Sequence, residues 1–347
     1  MQALQLTQWQ HPPELREVPD PEPGPGQLVI KVGGAGACHS DLHLMDDFVE
    51  GMVPFELPFT LGHETAGWVD ALGDGVTGLE VGQGVAVYGP WGCGRCRRCR
   101  VGMENYCVHQ AELGAAGGGL GLNGGMASRM LVPDARLVVP LGDLDPAEAA
   151  PLTDAALTPY HAILRSMPLL GAGSTAVVVG AGGGLGHMAV SILEALTPTT
   201  IIAVDRNESA LSLATGRGAA HGVLMGDSAA AEIQSITGAV GATLVLDLVG
   251  NDATLALGAA VVGSLGHLTV VGIGGGSLPV GFFTVPYEAS VATTYWGSVT
   301  ELMDVIQLAQ QGVIAAQVTR FPLSEGAEVY ARLRDGKVRG RAVVVPE

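Results

Sequence analysis

The stretch "STAVVVGAGGGLGHMAVSILEAL", Ser174 to Leu196, sets a β-branched apolar run before a glycine cluster and an apolar run at helical spacing after it. That is the pattern of a buried strand, a tight turn and a helix. In a G-x-G-x-x-G turn the glycines allow the sharp bend, the approach of a pyrophosphate and the packing of helix on strand. The phosphate then rests on free N–H groups at the helix start. Counted from Gly180, the motif fails, because Leu185 falls where the third glycine belongs. Counted back from the helix, Gly186 is third, Gly183 second and Ala181 first, with Gly184 and Leu185 between them. In that register Gly180 is either the last strand residue or part of a longer turn. Both place a dinucleotide pyrophosphate over the helix start.

Asp205 closes the next apolar run, "TIIAVD", about 20 residues on, where an acid meets the adenosine ribose hydroxyls. It would repel a 2′-phosphate, so NAD is expected over NADP. Arg206 beside it could accommodate that phosphate, and Asp205 could instead be a simple helix cap. Helical and strand patterns then alternate through "NESALSLATGRG", "GVLM", "AAAEIQSITG", "ATLVLDLVG", "DATLALGAAVV" and "HLTVVGIGG". Such alternation implies βαβ units and an α/β, doubly wound parallel sheet covered on both faces, placed at 156–290.

The first 155 residues read differently. "QLVIKVGGAGACHSD", "AGWVDALGDGV" and "GQGVAVYGP" are short strands punctuated by turns, so this part is mostly β. "DPAEAAPLTDAALTPYHAILRSM" has helical spacing throughout and a start at Asp145-Pro146. A last helix, "ELMDVIQLAQQG", and a last strand, "GRAVVVP", are assigned with 291–347 to the first domain.

At 347 residues the chain is long enough for two cores. It is 48% hydrophobic and 15% charged, with a net charge of −17 and lysine only at Lys31 and Lys337. Nucleic acid and anionic membrane surfaces are poor partners for so acidic a chain. The N-terminus lacks the basic and apolar regions of a signal peptide, and the most apolar window is broken by glycines, so a cytoplasmic protein is expected.

The five cysteines make a poor disulfide framework. Four of them, in "CGRCRRCRVGMENYC", run C-x2-C-x2-C-x7-C: Cys93, Cys96, Cys99 and Cys107. Four close thiolates can enclose one Zn²⁺ with no open position, as in a structural site. An iron–sulfur cluster also takes four thiolates, though not at the ferredoxin spacing.

Cys38 in "GACHSDLH", His63-Glu64 in "LGHETAG" and Asp154 in "PLTDAALTPYH" are not diagnostic singly. Together with "YGPWGCGRCRRC", the glycine turn, "PYEASVATTYWG" and "GRAVVVP", they make the whole chain resemble the zinc-dependent medium-chain alcohol dehydrogenases. The resemblance looks closest to the bacterial secondary-alcohol and aryl-aldehyde or ketone reducing branch. It implies a GroES-like catalytic domain beside the Rossmann domain. It also implies a catalytic zinc held by Cys38, His63 and Asp154, with Glu64 as the competing ligand and a fourth position open to substrate oxygen.

By the same resemblance, Ser40 takes the substrate proton and His43 is the terminal base of the relay. Asp41 orients His63, and His39 contacts the pyrophosphate. Thr158 and Val271 hold the nicotinamide, and Arg341 lies near the pyrophosphate, with Arg339 close enough to confuse the register. Tyr295, Trp296 and Phe282 are expected to line the substrate pocket or an adjoining dimer strand, with ordinary core packing as the alternative.

The implied activity is NAD(H)-linked interconversion of alcohols with aldehydes or ketones, favouring medium-chain or aryl substrates, in a homodimer or homotetramer. The alternatives are a polyol or other zinc-dependent dehydrogenase of the same fold, and a zinc-bearing nucleotide-binding protein without catalysis.

Overall fold

The computed structural model describes Met1–Glu347, and the chain divides into two compact units, Met1–Leu157 with Gly297–Glu347, and Thr158–Trp296.

The second unit is built on six parallel strands. Their order across the sheet is His221–Leu224, Thr200–Asp205, Thr175–Val179, Ala242–Asp247, Val262–Val270 and Ser290–Thr293. Taken in chain order this is 3-2-1-4-5-6, the doubly wound arrangement with its switch point between Thr175–Val179 and Ala242–Asp247. The strands read as unbroken apolar runs because both faces are covered. Val177, Ile202, Val204, Val245 and Leu268 are fully buried, each contributing about 1.5–3 kcal/mol of burial.

The first unit holds a seven-stranded mixed sheet. Its long central strand, Leu28–Ala37, pairs antiparallel with Glu64–Leu72, Arg129–Val132 and Arg341–Val345. Three strand ends thereby come together. Gly36 lies opposite Glu64, and Ala37 opposite Ala342, so Cys38, Glu64 and Arg341 become neighbours although they are far apart in sequence. A side chain at Gly36 would put its Cβ within 1.9 Å of Glu64 Oε2, so the glycine is what admits the glutamate side chain.

One expectation is corrected here. The helical spacing from Asp145 does not produce one helix. Pro146–Ala149 is α-helical, Ala150–Thr153 tightens to 3₁₀, Asp154 leaves the helix at φ −140°, ψ −59°, and Leu157–Leu164 resumes it. Pro151 lacks the N–H that would continue the α ladder, so the chain tightens to 3₁₀ there, and Asp154 lies at the C-terminal end of that turn. The structure also has a strand at Val318–Pro322 and a helix at Gly326–Arg334 that the sequence pattern did not single out.

Candidate active site and metal centres

Cys38 follows the long central strand and caps the helix His39–Asp46, its N–H donating to Asp41 Oδ2 over 3.0 Å. His63 immediately precedes the strand Glu64–Leu72. Asp154 comes from the helix break. The side-chain donor atoms of Cys38, His63, Glu64 and Asp154 all lie within 4.8 Å of one another, and all four residues are buried. Cys38 Sγ is 3.8 Å from Asp154 Oδ2, and His63 Nε2 is 3.6 Å from the same oxygen. The edges of a tetrahedron of sulfur, nitrogen and oxygen around Zn²⁺ are about 3.3 to 3.8 Å, so the set fits that ion.

The charges fit it too. Cys38, Glu64 and Asp154 surround one guanidinium, Arg341, Asp41 adds a further buried carboxylate beside His63, and buried charge must be paired. A divalent cation would offset most of the excess negative charge. Burial alone would push His63 down, but the carboxylates of Asp41 and Asp154 and the Cys38 thiol outweigh it and hold its pKa well above the usual value. His63 Nδ1 lies 3.1 Å from Asp41 Oδ1. With a metal bound, a proton kept at Nδ1 would leave the Nε2 lone pair on the side of Cys38 and Asp154. Ser40 Oγ lies 3.3 Å from that Nε2 and is partly exposed.

Glu64 is held on the side of Arg341. Arg341 Nε donates to Glu64 Oε2 over 2.8 Å, Nη2 donates to Oε1, and Oε1 also accepts from the Ala155 N–H at 3.1 Å. Burial pushes the Glu64 pKa up to about 7, against the pull of Arg341. Arg341 is 2% exposed and its Nη2 also reaches Cys38 Sγ at 3.3 Å. The guanidinium expected near a pyrophosphate is therefore placed behind the metal ligands.

The second cluster gathers Cys93, Cys96, Cys99 and Cys107, also within 4.8 Å. Cys96 Sγ lies 3.4 Å from Cys99 Sγ, and Cys93 Sγ lies 4.0 Å from it. Backbone N–H groups point at the sulfurs: Cys96 N to Cys93, Cys99 N to Cys96, and both Cys93 N and His109 N to Cys107. Such donors favour thiolates. The N–H of Cys99 leads in lowering the Cys96 thiol to about 6, while burial pushes Cys99 up. The buried Glu104 fastens the lobe, accepting from Gly92 N at 2.7 Å and from Arg136 Nε at 2.9 Å. No disulfide links any of the five cysteines.

In the second unit the strand closes at Val179, and Gly180 lies in the turn at φ +79°, so the turn is the longer of the two forms considered. Gly183 caps the helix Gly184–Leu196 without a side-chain cap, leaving first-turn N–H groups for an anion. Gly186 sits where helix meets strand: a Cβ there would come within 2.0 Å of Gly180 O. Asp205 Oδ2 accepts from Gly182 N at 2.9 Å, and Oδ1 from Arg206 N at 2.7 Å. The acid thus bridges its own strand end and the glycine turn. Ala181 is buried, and Gly183 is exposed.

Comparison with known proteins agrees. Residues 24–143 match the alcohol dehydrogenase GroES-like domain, and residues 184–311 match the zinc-binding dehydrogenase domain. The chain is 35% identical to an NAD-dependent alcohol dehydrogenase of Sulfurisphaera tokodaii, covering 100% of both. It is 33% identical to a D-arabinose 1-dehydrogenase (NADP(+)) of Saccharolobus solfataricus, covering 99% of this chain and 97% of that one. The alcohol dehydrogenase of the hyperthermophilic archaeon Aeropyrum pernix superposes over 100% of both chains with a TM-score of 0.92, at 33% identity. The chain belongs to the zinc-dependent medium-chain alcohol dehydrogenase family.

Within this dehydrogenase the remaining predicted residues are spread more widely. His39, Ser40, Asp41 and His43 share the helix that Cys38 caps. His43 Nδ1 is 2.5 Å from Asp47 Oδ2, one turn along and partly exposed. Thr158 is buried at the start of the second unit, and Val271 donates its N–H to Asp247 O over 2.8 Å. Tyr295 and Trp296 pack edge to face with centroids 5.7 Å apart, and Trp296 is buried. Phe282 is 72% exposed and packs on Phe283 and Tyr287 in a surface cluster.

Sequence reasoning missed Tyr330. It comes from Gly326–Arg334 and donates its hydroxyl to Asp41 Oδ2 over 2.8 Å, with both residues buried. Burial, then the neighbouring Asp41 charge, pushes its pKa well above the usual value, so it remains a donor at neutral pH.

Proposed function

We propose that the chain oxidises medium-chain or aryl alcohols, and reduces the matching aldehydes or ketones, with NAD(H). The observation that carries this is the buried Cys38, His63 and Asp154 set with the Ser40 hydroxyl beside it. Zinc bound there supplies a Lewis acid that polarises a carbonyl or acidifies an alcohol, and NAD supplies the hydride acceptor. Cys38, His63 and Asp154 are the ligands in this reading, and Glu64, held by Arg341, is the reserve carboxylate. Ser40 Oγ accepts the alcohol proton. His43, partly exposed on the same helix, returns a proton to water, and an imidazole suits that step because its ring can both accept and donate one. Asp41 keeps His63 in the metal-binding tautomer.

In the cofactor reading, Ala181, Gly183, Gly184, Leu185 and Gly186 seat the pyrophosphate and Asp205 receives the ribose hydroxyls. Arg206, His39, Thr158 and Val271 complete that set. Tyr295 and Trp296 supply aromatic surface for the substrate, as in the resemblance to the secondary-alcohol and aryl-ketone branch. The exposed Phe282, Phe283 and Tyr287, near the edge strand Ser290–Thr293, support a homodimer or homotetramer. No helix is long and apolar enough to cross a membrane, and five free cysteines support a cytoplasmic setting.

A panel of primary, secondary and aryl alcohols, followed by nicotinamide absorbance with NAD and NADP, tests this. Turnover of alcohols with NAD, and two zinc ions per chain by metal analysis, are expected. Asp205→Ser should raise the NADP to NAD ratio of kcat/KM. A panel that gives turnover only with polyols or sugars would favour the polyol reading, and iron in place of zinc would sink both.

A further inference from the structure

We propose that Tyr330 is a positioning residue for the metal centre, its hydroxyl setting the Asp41 carboxylate so that His63 presents Nε2 to the ion. This rests on the reading of Cys38, His63 and Asp154 as ligands. Asp41 is fully buried, and its two oxygens have different tasks. Oδ2 accepts from the Cys38 N–H at 3.0 Å and from the Tyr330 hydroxyl at 2.8 Å. Oδ1 faces His63 Nδ1 at 3.1 Å. Two donors on one oxygen fix the rotation of the carboxylate and leave the other oxygen 3.1 Å from the imidazole Nδ1, at ion-pair distance. One side chain therefore connects the backbone of one ligand, the ring of a second and a helix from the far end of the chain.

The hydroxyl is a costly group in this place unless it is used. Tyr330 is 1% exposed, and besides Asp41 its hydroxyl reaches the weakly accepting Met126 sulfur, at 3.1 Å. A phenylalanine would fill the same volume without the penalty. The helix is anchored separately to the ligand-bearing helix. Arg334, one turn beyond Tyr330 and on the same face, grips Asp46 with two hydrogen bonds of 2.9 and 2.7 Å at the exposed edge. Docking of the two helices therefore does not need the phenol. What the phenol adds is a donor to Asp41, and partners of metal-bound histidines typically change metal affinity or activity about 10- to 100-fold when removed.

The test compares the zinc-loaded wild type with Tyr330→Phe and Arg334→Ala. Zinc content and the rate of zinc release to a chromogenic chelator are measured, with Cys38→Ser identifying the ion at the three-ligand site. In Tyr330→Phe that ion should leave about 10-fold faster or more, while the Cys93–Cys107 ion leaves at the wild-type rate. The Co²⁺-substituted protein should show an altered absorption envelope at the same site. Arg334→Ala should lower the melting temperature and leave release unchanged. Equal release from Tyr330→Phe and wild type would overturn the proposal, as would equal acceleration by Arg334→Ala. So would failure of Tyr330→Phe to fold when Arg334→Ala folds, since the hydroxyl would then serve the fold and not the ion. If Cys38→Ser keeps both ions, the ligand reading itself fails, and the proposal with it.

Discussion

Arg341 and Glu64 form a buried pair directly behind the Cys38 sulfur, with Nε 2.8 Å from Oε2 and a second hydrogen bond from Nη2 to Oε1. Removing one partner strands a charge in the interior, which typically costs about 3–5 kcal/mol, whereas removing both is often near neutral. Arg341→Met should therefore destabilise strongly. Arg341→Met combined with Glu64→Gln should recover most of the loss. Denaturant unfolding of wild type, Arg341→Met, Glu64→Gln and the double variant checks this, and additive losses would mean the two residues do not act as a pair.

The same carboxylate gives a pH dependence in metal-free protein. Burial raises the folded pKa of Glu64 to about 7 from the ordinary 4.5. The folded state then holds a proton that the unfolded state has released, so stability falls as pH rises between those values. The contribution is fully present below about 4.5 and is lost as pH rises through about 7. After chelation, wild type should lose melting temperature relative to Glu64→Gln across that window and run parallel to it above. A constant difference from pH 4 to 8 would contradict the assignment.

For the four-cysteine lobe the sign is opposite. The Cys96 thiol is lowered from 9.0 to about 6, chiefly by the Cys99 N–H. Its contribution is present above the unfolded value and is lost as pH falls through about 6. Zinc in the lobe should be retained at pH 7 and released on acidification below about 6. Cys96→Ser should leave one zinc per chain and lower the melting temperature. Atomic analysis after dialysis at stepped pH reads both, and two retained ions in Cys96→Ser would remove Cys96 from the ligand set.

Much of this was legible because local sequence carries it. The cysteine spacing of the lobe, the strand–glycine–helix pattern and the acid at the end of "TIIAVD" are each confined to a short stretch, and each forms one local structure. What was not legible depends on register and on distance along the chain. Asp154 was placed just before a helix, but the 3₁₀ turn that ends at it was hidden in a run whose apolar spacing continues on both sides. Arg341 was read as a phosphate contact because its motif was visible. That it turns toward Glu64 follows from Ala342 pairing with Ala37 and Glu64 with Gly36. Tyr330 meets Asp41 across 289 positions of sequence, and nothing near it marks it as polar by purpose. Phe282 was read from its residue type alone, which does not distinguish a pocket lining from an exposed cluster.

Gly186 offers the sharpest check on the register of the cofactor turn. Counted from the front, the motif puts Leu185 in third place and leaves Gly186 free to vary. Counted from the helix, Gly186 is the contact between helix and strand, and a Cβ there meets Gly180 O at 2.0 Å and the Ala181 carbonyl carbon at 2.6 Å. Both neighbours are backbone, so neither can swing aside. Gly186→Ala must push the helix start off the strand end, at about 2–3 kcal/mol, and move the N–H groups that face the pyrophosphate. Gly183 has only Gly180 O at 3.3 Å near its Cβ direction and faces outward. Gly183→Ala should therefore fold nearly as well as wild type while obstructing the close approach of the cofactor. Melting temperature and NADH affinity by fluorescence titration separate the two. Gly186→Ala should lose both, and Gly183→Ala should lose affinity with little change in melting; a Gly186→Ala protein with wild-type values in both would put the turn in the other register.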